Sequence, residues 1–297
     1  MTTARPDWPK LALAPRQIPL GAWLGIRFGQ TLAQAGFAFL VFSLFPILVF
    51  LRHADIAGLW RYDGELETTT GRVTAVERTS ASQGGGKHRR GTPVQRIEFE
   101  FERGGERLSG VSYGAVLPPE LGSTVKVEMP AGEPQFARIE HLRSDLFGPE
   151  SLMVLLFPAF GLAALALSQW HATKELALAR NGHSALGRTL EIERRKFRRR
   201  RRSFNVAYEF EIEGRTIRDD DATQREHVYA DPRGLRILYD AREPENHWVV
   251  DDASLPLVVD AMGRIQSPPA GKLALRFVLP ALFLLSLGGW WLYSLVT

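Results

Sequence analysis

The chain has no cysteine among its 297 residues. That excludes disulfides, thiolate nucleophiles, iron–sulfur clusters and cysteine-type zinc sites. Histidines are few and scattered, at His53, His88, His141, His171, His183, His227 and His247. No two stand four apart and no H-E-x-x-H occurs, so histidine-based metal chemistry has no motif. The G-x-S-x-G elbow of serine hydrolases is missing too. Gly84-Gly85-Gly86-Lys87 lacks the spacing and the following hydroxyl residue of a phosphate-cradling loop, and reads as a flexible turn. Lysine is scarce, 6 against 31 arginines, a bias that points to a GC-rich bacterial genome. Finally, charge is absent from three long runs: residues 31–51, 151–170 and 277–296.

What is present is apolar sequence gathered into those runs. Hydrophobic residues make up 45% and charged residues 24%, an average that hides the segregation. About 20 apolar residues at 1.5 Å each cross a hydrocarbon core of roughly 30 Å. Three transmembrane helices are therefore expected. Trp170, Trp290, Trp291 and Tyr293 suit headgroup-level belts. The 30 residues before the first run are too many for a signal-peptide n-region, and RHADIAG after it offers no cleavage site, so an uncleaved anchor is expected. PLGAWLGIRFG, residues 19–29, reads as an interfacial continuation of the first helix. Each run carries one proline, Pro46, Pro158 or Pro280, a residue that membrane helices tolerate; a hinge is the alternative. The runs hold no ionisable group, only Gln34 and Gln169 near their ends, which makes a poor transport pathway.

Lysine and arginine near the run ends favour a cytoplasmic N-terminus, an extracytoplasmic first loop, a cytoplasmic second loop and an extracytoplasmic C-terminus. Net charges of +3, −2 and +3 for residues 1–30, 52–150 and 171–276 agree with that order. The expected organisation is a cytoplasmic or interfacial segment (1–30), helix 31–51, an extracytoplasmic β-domain (52–150, core 71–140), helix 151–170, a cytoplasmic β-domain (171–276, core 187–252) and helix 277–296.

The two loops read as copies of one module. GRVTAVER at 71–78 matches GRTLEIER at 187–194. Ile97, Phe99 and Phe101 alternate with Glu98, Glu100 and Glu102; Val206, Tyr208, Phe210 and Ile212 alternate with Ala207, Glu209 and Glu211. Period two with one apolar face is a half-buried strand. Both copies then turn at glycine, return as a second strand, and end with a strand, a Glu-Pro turn and a last strand at 136–139 or 248–250. Copy 1 has a hairpin loop seven residues longer, at 79–91. The expected fold class is an α+β membrane protein with two small antiparallel β-barrel or sandwich domains inserted between three transmembrane helices.

The order of a span, a GRV-type strand, a YEFE-type strand, a glycine turn, LRILYD and then Tyr239-Asp240-Ala241-Arg242-Glu243-Pro244 resembles bacterial membrane proteins of the domain-of-unknown-function family 3592. Copy 1 departs, with Val127-Glu128-Met129-Pro130 in place of the tyrosine ending. The resemblance implies a membrane protein with small β-domains; the bacterial inner membrane is the expected location. It implies no catalytic residues and no cofactor.

The densest feature is Arg194, Arg195, Lys196, Arg198, Arg199, Arg200, Arg201 and Arg202, with Phe197 among them. A barrier to translocation, a contact for anionic phospholipid headgroups or an acidic protein partner, a site for nucleic acid, and a solvated hairpin tip all compete for it. Lipid or topology is favoured and nucleic acid is not. Asp219, Asp220 and Asp221, with Glu226 and His227 nearby, lack the glycine and closing glutamate of a calcium loop and read as a charged surface loop. The expectation is a non-enzymatic integral membrane protein that presents duplicated β-domains as interaction, scaffold or sensing modules, with a protein partner or homo-oligomer open. The alternative is an accessory subunit of a membrane enzyme or transporter acting on the cell envelope.

Overall fold

The structure, a computed structural model, describes residues 11–85, 91–195 and 203–296, the side chains of 195 and 290–296 excepted. Two compact units divide the chain: Met1–Val41 with Ala159–Thr297, and Phe42–Pro158.

Helix α1 (Leu20–Phe28) stops at Gly29, and α2 (Thr31–Pro46) starts afresh. The expected continuous helix is thus two helices. A break leaves carbonyls without intrahelical donors. The run-end glutamines supply them: Gln34 Nε2 donates to the Phe28 carbonyl at 2.7 Å and to that of Arg276 at 2.8 Å, and Gln169 Nε2 donates to that of Arg27 at 2.9 Å. Ala22 and Ile26 of α1 are buried in one apolar cluster with Ala172, Leu176, Leu257 and Ile265.

Among the described residues, three helical stretches are long and apolar enough to cross a membrane: Thr31–Leu51, Pro149–Asn181 and Ala270–Gly289. Each proline is absorbed differently. At Pro46 the ladder widens into a π-helical turn, Ile47–Leu51, as fits a residue with no N–H and a ring that crowds the preceding turn. A 3-10 turn, Pro149–Leu155, leads into α3 (Leu156–Asn181), so Pro158 falls in the first α-turn, where its missing donor costs nothing. Only Pro280 sits well inside its helix, α5 (Ala270–Val296). α2 and α3 meet at Gly36 and Gly161. A Cβ on Gly36 would lie 2.8 Å from Leu165 Cγ and 2.9 Å from the Gly161 carbonyl.

Module 1 comprises β1 (Leu66–Gln83), β2 (Thr92–Arg103), β3 (Glu106–Gly114), β4 (Thr124–Pro130) and β5 (Arg138–Ile139), in sheet order β3-β2-β1-β4-β5. Module 2 comprises β6 (His183–Arg195), β7 (Ser203–Ile212), β8 (Arg215–Thr223), a one-turn helix α4 (Glu226–Tyr229), β9 (Leu235–Tyr239) and β10 (His247–Val249). Its order, β8-β7-β6-β9-β10, is the same path. Both sheets are antiparallel, and one is curled into a half-barrel. A small hairpin, β11 (Val258–Val259) with β12 (Ile265–Gln266), follows.

The likeness extends to register. β1 slips against β2 between Val73 and Ala75, and β6 slips against β7 between Thr189 and Glu191, at matching places. Gly71 faces Phe101 and Val125, and Gly187 faces Phe210 and Leu235. A Cβ at either glycine would press on the core residue next in line, Val127 at 2.8 Å or Ile237 at 2.6 Å. The last strands are shorter or shifted relative to expectation. Pro134–Phe136 is a 3-10 turn ahead of β5, and β10 begins at His247. The long copy 1 hairpin keeps strand geometry to Gln83 and resumes it at Thr92, so less of it is loop than expected.

Candidate functional site

The shared register allows the two cores to be compared position by position. In module 1, Phe99 pairs with Gly110, Ile97 with Ser112 and Val127 with Ile139; in module 2, Tyr208 pairs with Asp219, Val206 with Asp221 and Ile237 with Val249. Two residues ahead of Ile139 stands Ala137, where module 2 has His247. Hence Phe99, Gly110, Ser112 and Ala137 answer to Tyr208, Asp219, Asp221 and His247.

The first set makes a dry closure. Phe99, Ala137 and Ile139 join Val73, Ile97, Phe101, Val127 and Met129 in one cluster. Gly110 leaves room for the Phe99 ring, which a Cβ there would overlap. The sheet curls until β3 meets β5: the Ile139 N–H donates to Ser112 Oγ at 2.8 Å, and Tyr113 exchanges backbone hydrogen bonds with Arg143 at 2.8 and 2.9 Å.

The second set makes a polar seam. Tyr208 Oη lies 2.9 Å from His247 Nε2, and His247 Nε2 lies 3.2 Å from Asp219 Oδ2. His247 Nδ1 lies 3.2 Å from the Pro244 carbonyl. The Tyr208 hydroxyl also donates to Asp221 at 3.3 Å. Tyr229, brought in by α4, donates to Asp221 at 3.4 Å and to Asp252 at 3.3 Å, and Thr223 donates to Asp252 at 2.9 Å. Tyr208, Asp219, Asp221, His247 and Asp252 line a pocket of about 320 Å³ that Glu175 of α3 also borders. Gln30, in the break between α1 and α2, donates to Glu175 at 2.9 Å.

Burial sets the charge states here. It pushes the Asp221 carboxyl above the ordinary aspartate value, with Asp219 and Asp252 adding like charge. It raises Asp252 likewise, against the hydrogen bond from Thr223. Burial first, then the adjacent carboxylates, holds the phenols of Tyr208 and Tyr229 firmly protonated. On the outer face of the sheet the logic reverses. Glu209 accepts from Arg188 Nε at 2.6 Å and from Arg218 Nε at 2.9 Å, and the two guanidiniums hold its carboxyl below the ordinary range.

The arrangement does not form a nucleophile–histidine–acid relay. Both candidate partners of His247, the Tyr208 hydroxyl and the Asp219 carboxylate, converge on Nε2, while Nδ1 faces a carbonyl. A nucleophile–histidine–acid relay needs them on opposite nitrogens. Among the described residues no group of three or more His, Asp or Glu side chains is placed to hold a metal ion.

Of the basic cluster, Arg194, one residue before the end of β6, lies opposite Phe204 and borders a hollow of about 250 Å³ with Ile192, Phe204 and Glu226. Arg195 pairs with Ser203. Lys196, Arg198, Arg199, Arg200, Arg201 and Arg202 lie outside the described residues. The triple aspartate is corrected from loop to strand: Asp219, Asp220 and Asp221 belong to β8, because β7 offers a full ladder of partners. Alternation then turns Asp219 and Asp221 toward the seam and Asp220 away. Glu226 and His227, grouped with them in sequence, sit on α4. Tyr229, which does join them, is only eight residues from Asp221, whereas Tyr208, His247 and Asp252 come from other elements. Aligning the two repeats and noting Phe-to-Tyr and Ala-to-His exchanges at core positions would have found them. No protein-family model, characterised protein or solved structure matches this chain.

Proposed function

We propose that this is a non-enzymatic multi-pass membrane protein that presents two copies of one β-module on opposite faces of the bilayer, with module 2 as its sensing half. The carrying observation is the divergence of matched cores: Phe99, Gly110, Ser112 and Ala137 against Tyr208, Asp219, Asp221 and His247. Carboxylates set against one another and against phenols at a pocket wall cost stability unless they serve some end. Module 1 shows that the same strand path closes without them. Asp221 and Asp252, whose carboxyls are raised above the ordinary aspartate value, change their charge with local proton activity, which is the property a sensing module needs.

Charge bias supports module 1 outside and module 2 inside, and a bacterial inner membrane fits the composition. The motif resemblance to family 3592 fits the same reading but assigns no activity. Alternating periplasmic and cytoplasmic reporter fusions at residues 60, 180 and 297 test the topology. The expected pattern is outside, inside, outside; residues 60 and 180 reporting from one side would end the two-face scheme. Native purification in mild detergent tests the role. Recovery in a stable complex with a larger multi-span protein would favour the accessory-subunit reading.

A further inference from the structure

The most exposed apolar side chains outside the helical spans include two in the connection between β3 and β4, residues 115–123. Leu117 is 92% exposed and Leu121 70%, with Val116 beside them. The matching connection of module 2, residues 224–234, is different in kind. It carries Arg225, Glu226, His227, Asp231 and Arg233, and turns Tyr229 into the core. Module 1 has therefore bared apolar groups where its twin has charge.

The foot of this loop stands on the strip of chain that joins both span ends. Tyr113, one residue before the end of β3, is paired through its backbone with Arg143. The Arg143 guanidinium reaches Glu150, in the turn that opens the second span, at 3.5 Å. The next residue, Ser144, donates its N–H to Asp55 at 2.9 Å, and Asp145 lies 3.8 Å from His53. His53 and Asp55 follow directly on the end of the first span at Leu51. The Phe147 N–H then donates to the His53 carbonyl at 2.8 Å, and its ring meets that of Phe50 edge-on with centroids 4.9 Å apart. Exposed Leu59 and Trp60 belong to the same exit, tied to Asp55 through the Gly58 N–H at 2.9 Å. The loop is thus rooted at the level where chain leaves and re-enters the lipid.

Its chemistry suits that place. Pro118 and Pro119 have no N–H, so two fewer backbone donors need partners on leaving water. Their fixed φ also stiffens the stretch between the exposed Leu117 and Leu121 without a helix. Glu120 is the loop's one charge.

We propose that residues 115–123 form a membrane-inserting loop, seating Leu117 and Leu121 in the interfacial layer of the leaflet where the first span ends and the second begins. This rests on the reading of those two spans as membrane-crossing. Module 1 is then held at three points, two helical and one loop, and its sheet stays fixed in orientation to the bilayer.

The cysteine-free chain permits a direct test. Leu117→Cys, Glu106→Cys at the far end of β3, and Phe45→Cys in the first span are each labelled with an environment-sensitive fluorophore in full-length protein reconstituted in vesicles. Nitroxide lipids quench from the bilayer, and iodide quenches from water. The expected result is loss of signal at 117 with shallow nitroxide lipid and none with iodide, the reverse at 106, and loss at 45 with deep nitroxide. A label at 117 that behaves like the one at 106 overturns the insertion and leaves the spans standing. A label at 117 shielded from both quenchers means a second copy or a protein partner covers the loop, which also overturns it. A label at 45 untouched by lipid quencher removes the spans and the insertion together.

Discussion

Phe99 and Tyr208 hold one register position in two copies of a module, and the hydroxyl that separates them changes what can surround each. Beside Phe99 a glycine suffices; around Tyr208 stand Asp219, Asp221 and His247. The sign of the resulting pH dependence follows from burial. Asp221 binds its proton more tightly folded than unfolded, so its burden on stability is absent below the ordinary aspartate value near 3.8 and grows as pH rises through the raised folded value. Glu209 works oppositely: its contribution is present above the ordinary 4.5 and is lost as pH falls through its depressed folded value. Hydrogen-exchange protection across residues 203–223, corrected for intrinsic rates, should therefore fall as pH rises above the ordinary carboxylate values. Asp221→Asn should flatten that fall; an unchanged slope would remove Asp221 as its source. A second buried charge acts through backbone. Arg16, 8% exposed, donates from Nη1 to the carbonyls of Gly182 at 2.8 Å and Ala179 at 3.2 Å, at the C-terminus of α3. Cation and helix dipole agree in sign there. Arg16→Ala should cost about 2 kcal/mol, the loss of charge-assisted bonds to buried acceptors. A lower melting temperature in detergent would register it, with Arg16→Lys recovering part.

Helices and strands were largely legible because their signals are local. Length and absence of charge mark a span wherever it occurs, and period two marked Ile97, Phe99 and Phe101 as the inner face, which is where they lie. Boundaries that answer to distant partners were not legible. Gly29 ends α1 where a continuous helix reads equally well, because Gln34 and Gln169 take up the freed carbonyls. The triple aspartate reads as loop by propensity, and β7 makes it strand. The crossing of α2 and α3 depends on Gly36 and Gly161 in the same long-range way. Gly161→Leu should force the helices apart at a cost of about 1–3 kcal/mol, typical of overpacking. It should also abolish disulfide cross-linking between cysteines placed one turn away on each helix. In module 1, Phe99→Ala empties the centre of a fully buried cluster and should cost about 3–5 kcal/mol. Proteolysis of residues 66–139 would then run far faster than in the parent, with the spans intact.

For the molecule as a whole, the basic cluster from Arg194 to Arg202 supplies a measurable expectation. Each cation near an anionic surface contributes about 1 kcal/mol at modest salt, and added salt screens it. In nanodiscs the protein should melt higher with anionic than with zwitterionic lipid. Replacing Arg198, Arg199, Arg200, Arg201 and Arg202 by glutamine should erase that difference, as should high salt. An equal melting temperature in both lipids would leave the cluster a topological role.

Spans, strand alternation and the duplication follow from residues near one another in the chain, since hydrophobic period and length are read within a window of twenty residues. Which copy closes dry and which closes on acids could not be read that way. Asp221 is an ordinary acid until β7 sets Tyr208 against it, β10 sets His247 nearby, and α4 adds Tyr229. Likewise Leu117 is only one more leucine until the pairing of Tyr113 with Arg143 roots its loop at the lipid exit. Burial and charge environment are properties of what arrives from elsewhere in the chain, and only folding brings it there.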